Sequence, residues 1–234
     1  MDTLFGALES AAVLVAGLTV RVGLLLIVLV ILSVPILLVL TGISGVEAVR
    51  RRLHGIMRIG GLFCCDRVFY APGHTWLRRE SRSGVRIGLD DLAQRMFPAP
   101  TRLHLPERGA TLRTGEPAGA VCTTRRRAAI VSPVDGVVTD VNDAVRQDPT
   151  LVHRDPYDRG WLFAVAPSDS AFEALPTGEP GRNWLRVESE RLSRFFEMEL
   201  GVAAADGGDF VLPPPTLLDD AQWATLTREF LGNR

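Results

Sequence analysis

Residues 115–142 read GEPAGAVCTTRRRAAIVSPVDGVVTDVN, and residues 148–169 read DPTLVHRDPYDRGWLFAVAPSD. In both stretches, short runs of β-branched and apolar residues alternate with Pro, Gly, Asp and Asn. Strands separated by turn residues about every 8 to 12 positions are typical of a small β sandwich or barrel. The same alternation extends over residues 68–165. We therefore predict a mainly β domain over residues 68–175.

Helical segments are predicted inside this β domain and after it. Short helices are expected over 90–96, where Asp90 is a suitable N-cap, and over 143–147. Beyond Pro180, apolar residues recur along one stripe, which predicts an amphipathic helix within 176–201 that ends at Gly201. The stripe consists of Trp184, Leu185, Val187, Leu192, Phe195, Phe196 and Leu200.

The last segment, residues 202–234, combines a Pro/Gly-rich linker with a helix predicted over 218–231. Trp223, Leu226 and Phe230 share one face of that helix. We interpret Trp223 and Phe230 as exposed contacts for a partner protein.

The N-terminal part carries a different signal. Residues 22–46 contain no charged side chain and are dominated by Leu, Val and Ile. About 20 apolar residues are enough to cross a bilayer as a helix. We therefore predict a transmembrane helix over 22–45, preceded by an apolar segment over 1–21. The residues that anchor it in lipid are Val22, Leu24, Leu26, Leu32, Pro35 and Leu40.

Flanking charge predicts how this helix is oriented. Arg50, Arg51 and Arg52 follow the apolar run closely, whereas Arg21 alone precedes it. The positive-inside rule then places the C-terminal domain in the cytoplasm of a bacterium, anchored in the inner membrane by a single pass. Residues 46–67 are interpreted as a basic, partly helical connector whose Arg50–Arg52 cluster attracts anionic lipid headgroups.

Composition excludes several kinds of chemistry. Every one of the 26 basic residues is Arg, so no lysine amine is available for a Schiff base, a P-loop or an amide-linked prosthetic group. The four His show no metal-ligand spacing, and no nucleophile elbow, dinucleotide fingerprint or basic nucleic-acid stripe is present. These absences predict a non-enzymatic protein with no cofactor, no metal ion and no nucleic-acid partner.

The β region resembles the H protein of the glycine cleavage system, a lipoyl carrier. The likeness covers about residues 69–172. It is carried by GHTW at 73–76, VRIGLDDLAQ at 85–94, LPERGATLRTGEPAG at 105–119, SPVDGVVTDVN at 132–142 and the stretch over 148–169. The resemblance implies a lipoyl-type β barrel-sandwich hybrid, to which this chain adds C-terminal helices.

The same resemblance implies that a lysine at the tip of a tight hairpin carries lipoate. Between the matching anchors this chain has no gap, and the attachment position falls on Arg125. A guanidinium remains protonated and is a very poor nucleophile. The acid that precedes the lysine in the family pattern is replaced as well, by Cys122. The likeness therefore supports the fold and argues against the carrier activity.

Two interpretations of the Arg125–Arg126–Arg127 tip remain open. It is either a cationic surface for an acidic partner or a phosphate headgroup, or a solvated hairpin end at which charge is harmless.

Three functions fit the sequence. The leading hypothesis is a non-catalytic structural subunit of a larger membrane protein complex, with respiratory or photosynthetic complexes as natural hosts. Its degenerate carrier domain would support the cytoplasmic face of that complex. The second is a thiol-based redox or carrier accessory that uses Cys122 or the Cys64–Cys65 pair. The third is a membrane-tethered regulator that binds glycine-cleavage or lipoylation enzymes.

Overall fold

The computed structural model describes residues 55–81, 84–97, 100–201 and 212–232, with residues 18, 21, 22, 24–26, 28, 29 and 31–33 near the N-terminus. The chain divides into two compact units, Met1–Arg51 and Arg52–Arg234.

In the first unit the described residues are helical, and their side chains are exposed. Val22, Leu24, Leu26 and Leu32 of the predicted membrane anchor belong to this set. Pro35, Leu40 and Arg50–Arg52 lie outside the described residues. A search of the described part of the chain finds no helix with both the length and the apolar character needed to cross a membrane.

The described residues of the second unit contain eleven strands in three sheets. A hairpin pairs β1 with β2, a six-stranded antiparallel sheet has the order β3-β4-β5-β11-β10-β7, and a three-stranded sheet has the order β6-β8-β9. The bounds are β1 Ile56–Ile59, β2 Leu62–Cys65, β3 Phe69–Ala71, β4 Thr75–Arg79, β5 Val85–Leu89, β6 Arg102–His104, β7 Thr111–Leu112, β8 Pro117–Cys122, β9 Arg127–Val131, β10 Gly136–Val141 and β11 Trp161–Pro167.

Five helices accompany the sheets in this described part of the unit. They are α1 (Asp91–Met96), α2 (Asp143–Gln147), α3 (Leu151–Arg154), α4 (Gly178–Leu200) and α5 (Asp220–Leu231), with single 3₁₀ turns at Ala171–Ala174 and Pro215–Leu217. Asp90 caps α1 as predicted, because its carboxylate accepts hydrogen bonds from the backbone N–H groups of Leu92 and Ala93. Gly201 ends α4 as predicted.

One hydrophobic core joins the two larger sheets and the helices that follow them. Trp76 of β4, Ile130 of β9 and Phe163 of β11 belong to it, together with Phe196 of α4 and Leu226 of α5. The mainly β fold with C-terminal helices is therefore confirmed. β10 buries alternate residues, whereas β4, β5 and β11 are buried along most of their length. The helices bury their apolar stripes against this core.

The partly helical connector predicted over 46–67 is wrong for its second half. Residues 56–65 form the β1–β2 hairpin, in which Leu62, Cys64 and Cys65 are buried. Gly60 and Gly61 make the two-residue turn, and both have positive φ. A Gly-Gly turn of this kind suits the right-handed twist of a hairpin, so the signal was present in the sequence.

Helix α4 differs from its prediction in two details. It begins at Gly178, since Pro180 lies in the first turn, where a missing N–H costs nothing. Val187, predicted on the apolar stripe, is 42% exposed, because the buried face is formed by residues three and four positions apart and 187 falls outside it. That face consists of Gly181, Leu185, Ser189, Leu192, Phe195 and Phe196.

Gly136 begins β10 at a point where two strands approach closely. A Cβ atom at this position would lie 2.3 Å from the backbone carbonyl oxygen of Ala166. Backbone cannot give way as a side chain can, so we expect Gly136→Ala to lower the free energy of unfolding by about 1–3 kcal/mol. Urea denaturation followed by fluorescence measures this loss of stability. Val137→Ala, at an exposed neighbour, should change stability by less than about 0.5 kcal/mol, and equal losses in both variants would contradict the steric explanation.

Candidate functional site

The candidate site is the tip of the β8–β9 hairpin. Cys122 and Arg127 form the last strand pair, and residues 123–126 make the turn. The backbone N–H of Thr123 donates to the carbonyl oxygen of Arg126 at 2.8 Å, and the N–H of Arg126 donates to the hydroxyl of Thr123 at 3.0 Å. These local bonds hold the turn in one shape, and Arg125 lies at its exposed apex.

The three tip arginines have different surroundings. The guanidinium of Arg126 donates to the carbonyl oxygen of Leu218 at 2.6 Å and to the carboxylate of Asp220 at 2.5 Å. It also lies over the ring of Trp223, 5.4 Å from the centroid. Arg125 and Arg127 are exposed, and neither has an ion pair within the described ranges. The tip is therefore partly engaged by the chain's own C-terminal segment, residues 212–231.

Trp223 and Phe230, predicted as exposed partner contacts, are buried. Trp223 is 7% and Phe230 2% exposed. Trp223 packs edge-on against Phe97, with ring centroids 5.5 Å apart, and its indole nitrogen lies 3.5 Å from the carbonyl oxygen of Arg127. The prediction was wrong because an apolar helix face shows what must be covered and not which surface covers it. Here the covering surface is the protein's own β domain.

A groove of about 270 Å³ opens between the hairpin turn and the C-terminal segment. Thr123, Thr124, Arg125 and Arg126 line one side, and Met96 and Trp223 form an apolar floor. Pro215 and Thr216 close the other side. Sequence reasoning missed this groove, since it joins residues more than 100 positions apart.

A buried charge cluster ties the C-terminal helices to the β domain, and sequence reasoning missed it too. Nδ1 of His74 lies 2.9 Å from the carboxylate of Asp90, and Nε2 lies 3.7 Å from the carboxylate of Glu188 on α4. Arg191 contacts Glu188 at 3.0 Å and donates to the carbonyl oxygen of Glu229 at 3.1 Å. The cluster thus joins the β3–β4 turn, α1, α4 and α5.

The protonation of this cluster follows from its geometry. Burial alone would lower the pKa of His74, but the neighbouring Asp90 and Glu188 carboxylates outweigh it and raise that pKa from 6.5 to about 9. The neighbouring His74 lowers the pKa of Glu188. At neutral pH the imidazolium therefore lies between two carboxylates. Its role in this position is structural.

Asp90 and Asp91 lie at the start of α1, and Asp91 also anchors the β1–β2 hairpin. Asp91 accepts a hydrogen bond from the backbone N–H of Phe63 at 2.9 Å and from Arg95 at 3.0 Å. The buried Tyr157 hydroxyl donates to the carbonyl oxygen of Phe63 at 2.9 Å. Burial raises the pKa of Asp91, and Arg95 opposes that rise. The two acids serve as fold-holding groups and not as an acid–base dyad. Within the described ranges no group of His, Cys, Asp and Glu is arranged to hold a metal ion.

The three cysteines are free thiols with unequal access. Cys64 and Cys65 are buried on β2, whereas Cys122 is half-exposed at the end of β8. Burial raises the pKa of Cys64 to about 12 and raises that of Cys65 as well. The thiolate is the reactive form of cysteine. The Cys64–Cys65 pair is thus poorly suited to redox chemistry in the folded protein.

We expect only Cys122 to react with a thiol reagent in the native protein at pH 8. Raising the pKa of Cys64 from 9.0 to about 12 lowers its thiolate fraction about a thousandfold. Iodoacetamide labelling read by intact mass should therefore add one group quickly, and three after denaturation. The Cys122→Ser variant should add none on the same timescale. Fast labelling of that variant would contradict the burial of the pair and favour a redox role.

Comparisons with known proteins point to one family. The family model described as "Glycine cleavage H-protein" matches residues 68–185. The glycine cleavage system H protein of Mycobacterium avium is 41% identical over 102 residues, which are 44% of this chain and 77% of that protein. The H protein of Geobacillus kaustophilus is 36% identical over 111 residues, which are 47% of this chain and 87% of that protein.

A solved structure gives a further comparison. The crystal structure of a glycine cleavage system H protein from Mycobacterium marinum overlaps 53% of this chain and 98% of its own, with 26% identity and a TM-score of 0.46.

Proposed function

Since this chain belongs to the glycine cleavage H-protein family, we propose that it is a family member without the carrier activity, which serves as a non-catalytic subunit of a membrane protein complex. Its H-protein domain supports the cytoplasmic face of that complex, and one N-terminal helix holds it at the membrane. In this proposal the β domain has a binding function only.

The single observation that carries this proposal is the hairpin tip. The family resemblance places a lipoyl lysine there, and this chain has Arg125 at that position and no lysine elsewhere. The neighbouring Arg126 is bound to Leu218 and Asp220. A tip that cannot form the amide bond and whose flank is held by the C-terminal segment favours a fixed surface over a swinging arm.

Membrane attachment rests on the sequence pattern of residues 22–46 and on the Arg50–Arg52 cluster that follows. An uncharged apolar run of this length favours a single pass, and the cationic flank favours a cytoplasmic domain in contact with anionic lipid headgroups. The partners we propose are integral membrane subunits of the complex.

The exposed charges at the tip are the contact surface that we propose for such a partner. Arg125 and Arg127 are exposed beside the engaged Arg126, and cationic side chains of this kind pair with acidic patches on a partner. Because Trp223 and Phe230 are buried in the domain, they contribute to this surface only by holding the C-terminal segment in place.

The test is purification of the full chain from native membranes in a mild detergent, followed by identification of co-migrating proteins and intact-mass measurement. The expected result is a stable complex with an unmodified chain. Arg125→Glu with Arg127→Glu should reduce co-purification at least about tenfold, as expected when close charge pairs are reversed. Arg113→Glu, an exposed arginine outside the tip, is the matched control. A chain that is found in the cytosol, carries a lipoyl adduct or purifies alone would refute the proposal.

Family membership favours one alternative, a tethered regulator of glycine-cleavage or lipoylation enzymes. The H-protein match covers strands β3 to β11, so this alternative assigns to the chain a surface that such enzymes recognise in H proteins. Pull-down with those enzymes distinguishes the two functions. Retention of a glycine-cleavage enzyme, with no membrane subunit retained, would favour the regulator.

A further inference from the structure

We propose that the groove beside the hairpin tip binds a monocarboxylate that has a short apolar chain. The groove lies between the β8–β9 turn and residues 215–223. Pro215, Thr216 and Trp223 lie outside residues 68–185, which match the family. The site is therefore formed by the C-terminal segment together with the hairpin tip, which includes Arg125 at the family's attachment position.

The charged residues around the groove favour a ligand with a single negative charge. Two arginines line the groove, Arg125 and Arg126. The carboxylate of Asp220 is already paired with Arg126 at 2.5 Å, which leaves Arg125 as the available cation. A single guanidinium binds a carboxylate through two parallel hydrogen bonds. Asp220 nearby disfavours a dianion such as a phosphate monoester, since like charges repel at short range.

The apolar residues at the floor of the groove favour a ligand with an apolar chain next to its charged group. Met96 and Trp223 form it. Both side chains are buried in the domain, with 1% and 7% of their surface exposed. The indole ring is also held in one orientation, by Phe97 on its edge and Arg126 on its face. A flat, rigid apolar surface beside one cation matches an alkyl carboxylate better than a sugar or a free inorganic anion.

The size of the groove limits the length of the ligand. Its volume is about 270 Å³, and a water molecule takes about 30 Å³ in the liquid. A cavity of about 150 Å³ is large enough to hold benzene, so the groove has room for a short-chain carboxylate such as hexanoate. Thr124 and Thr216 also line the groove, and a threonine hydroxyl can donate to the second carboxylate oxygen.

Hexanoate titrated into the full chain in an uncharged detergent tests this proposal. The readout is the indole N–H resonance of Trp223 in a nitrogen–proton spectrum, assigned by its loss in Trp223→Phe. We expect a saturable shift with hexanoate. Hexanol and hexylamine, which keep the chain but lack the negative charge, should bind at least about tenfold more weakly, because a charge-assisted pair contributes about 1.5–3 kcal/mol.

Three variants distinguish binding in this groove from non-specific attraction to the cationic hairpin tip. Arg125→Gln should weaken hexanoate binding about tenfold or more, whereas Arg127→Gln, at a neighbouring arginine that does not line the groove, should change it less than about twofold. Thr216→Glu places a negative charge beside the groove and should also weaken hexanoate binding, although Arg125 is unchanged in this variant.

Several outcomes would overturn the proposal. If hexanol bound as tightly as hexanoate, the groove would be an apolar surface that does not select for charge. If acetate or inorganic phosphate bound as tightly, the tip would attract anions and the apolar residues would contribute nothing. Equal losses in Arg125→Gln and Arg127→Gln would mean a diffuse cationic tip. Because Arg125 is exposed at the apex of a turn, its substitution should leave thermal unfolding unchanged, so weaker binding reports on the groove itself.

Discussion

His74→Asn is expected to lower the free energy of unfolding by about 3–5 kcal/mol at pH 6.5. The substitution removes the imidazolium that lies between the carboxylates of Asp90 and Glu188, and breaking a buried ionic contact leaves uncompensated charge behind. Asn is chosen because His74 has a φ of 55°, a left-handed conformation that Asn tolerates better than most residues. The loss then reports on charge and not on backbone strain.

The same cluster predicts how stability depends on pH. The pKa of His74 is raised from 6.5 to about 9 on folding. A group whose pKa is raised in the folded state stabilises the protein fully below its unfolded pKa, and that contribution is lost as pH rises through the folded value. We therefore expect the wild-type protein to lose about 3 kcal/mol between pH 6.5 and 9. Glu188, whose pKa is lowered, contributes above its unfolded pKa and loses that contribution as pH falls.

Urea denaturation at a series of pH values from 6 to about 9.5 measures both effects. His74→Asn should flatten the profile in this window. His104→Asn is the matched control, because His104 is exposed, and it should keep both the stability and the slope of the wild type. A His74→Asn profile that runs parallel to the wild type would show that another group causes the pH dependence.

Trp223→Ala is expected to lower the free energy of unfolding by about 3–5 kcal/mol, the usual loss for a buried aromatic ring. The ring contacts Phe97 and lies under the guanidinium of Arg126. Its removal takes away the main apolar contact between α5 and the tip of the hairpin. We expect the segment over 212–231 to open before the β domain does, because that segment is held through this ring and the Arg126 contacts.

Denaturation and limited proteolysis of the full chain measure this outcome. Cleavage near the start of α5 should become at least about tenfold faster in Trp223→Ala, since a loss of 1.4 kcal/mol in local stability already raises the open population tenfold. Leu217→Ala, at a side chain on the same segment that is 59% exposed, should behave as the wild type. If Trp223→Ala kept wild-type stability and lost only its partners, Trp223 would be the partner contact that the sequence suggested.

Family membership and the hairpin tip were both accessible from the sequence. The GEPAG anchor runs into β8 and the SPVDG anchor follows β9. The family pattern fits between them without a gap, so Arg125 could be placed at the tip by counting. The turn at Gly60–Gly61 was equally visible, and the connector prediction failed because a basic composition was given more weight than turn chemistry. The membrane anchor stays a prediction from residues 22–46.

By itself, the sequence determined what depends on neighbours along the chain. Turn residues set the strand pattern, Asp90 and Gly201 set helix ends, and the absence of lysine removed amide-linked chemistry whatever the fold. Only the tertiary structure decided that Trp223 faces inward, that Arg126 is held by Leu218 and Asp220, and that His74 meets Glu188. These contacts join positions about 90 to 115 residues apart. An amphipathic pattern or a charge shows that a surface must be covered or paired. Which part of the chain covers or pairs it is decided by three-dimensional packing.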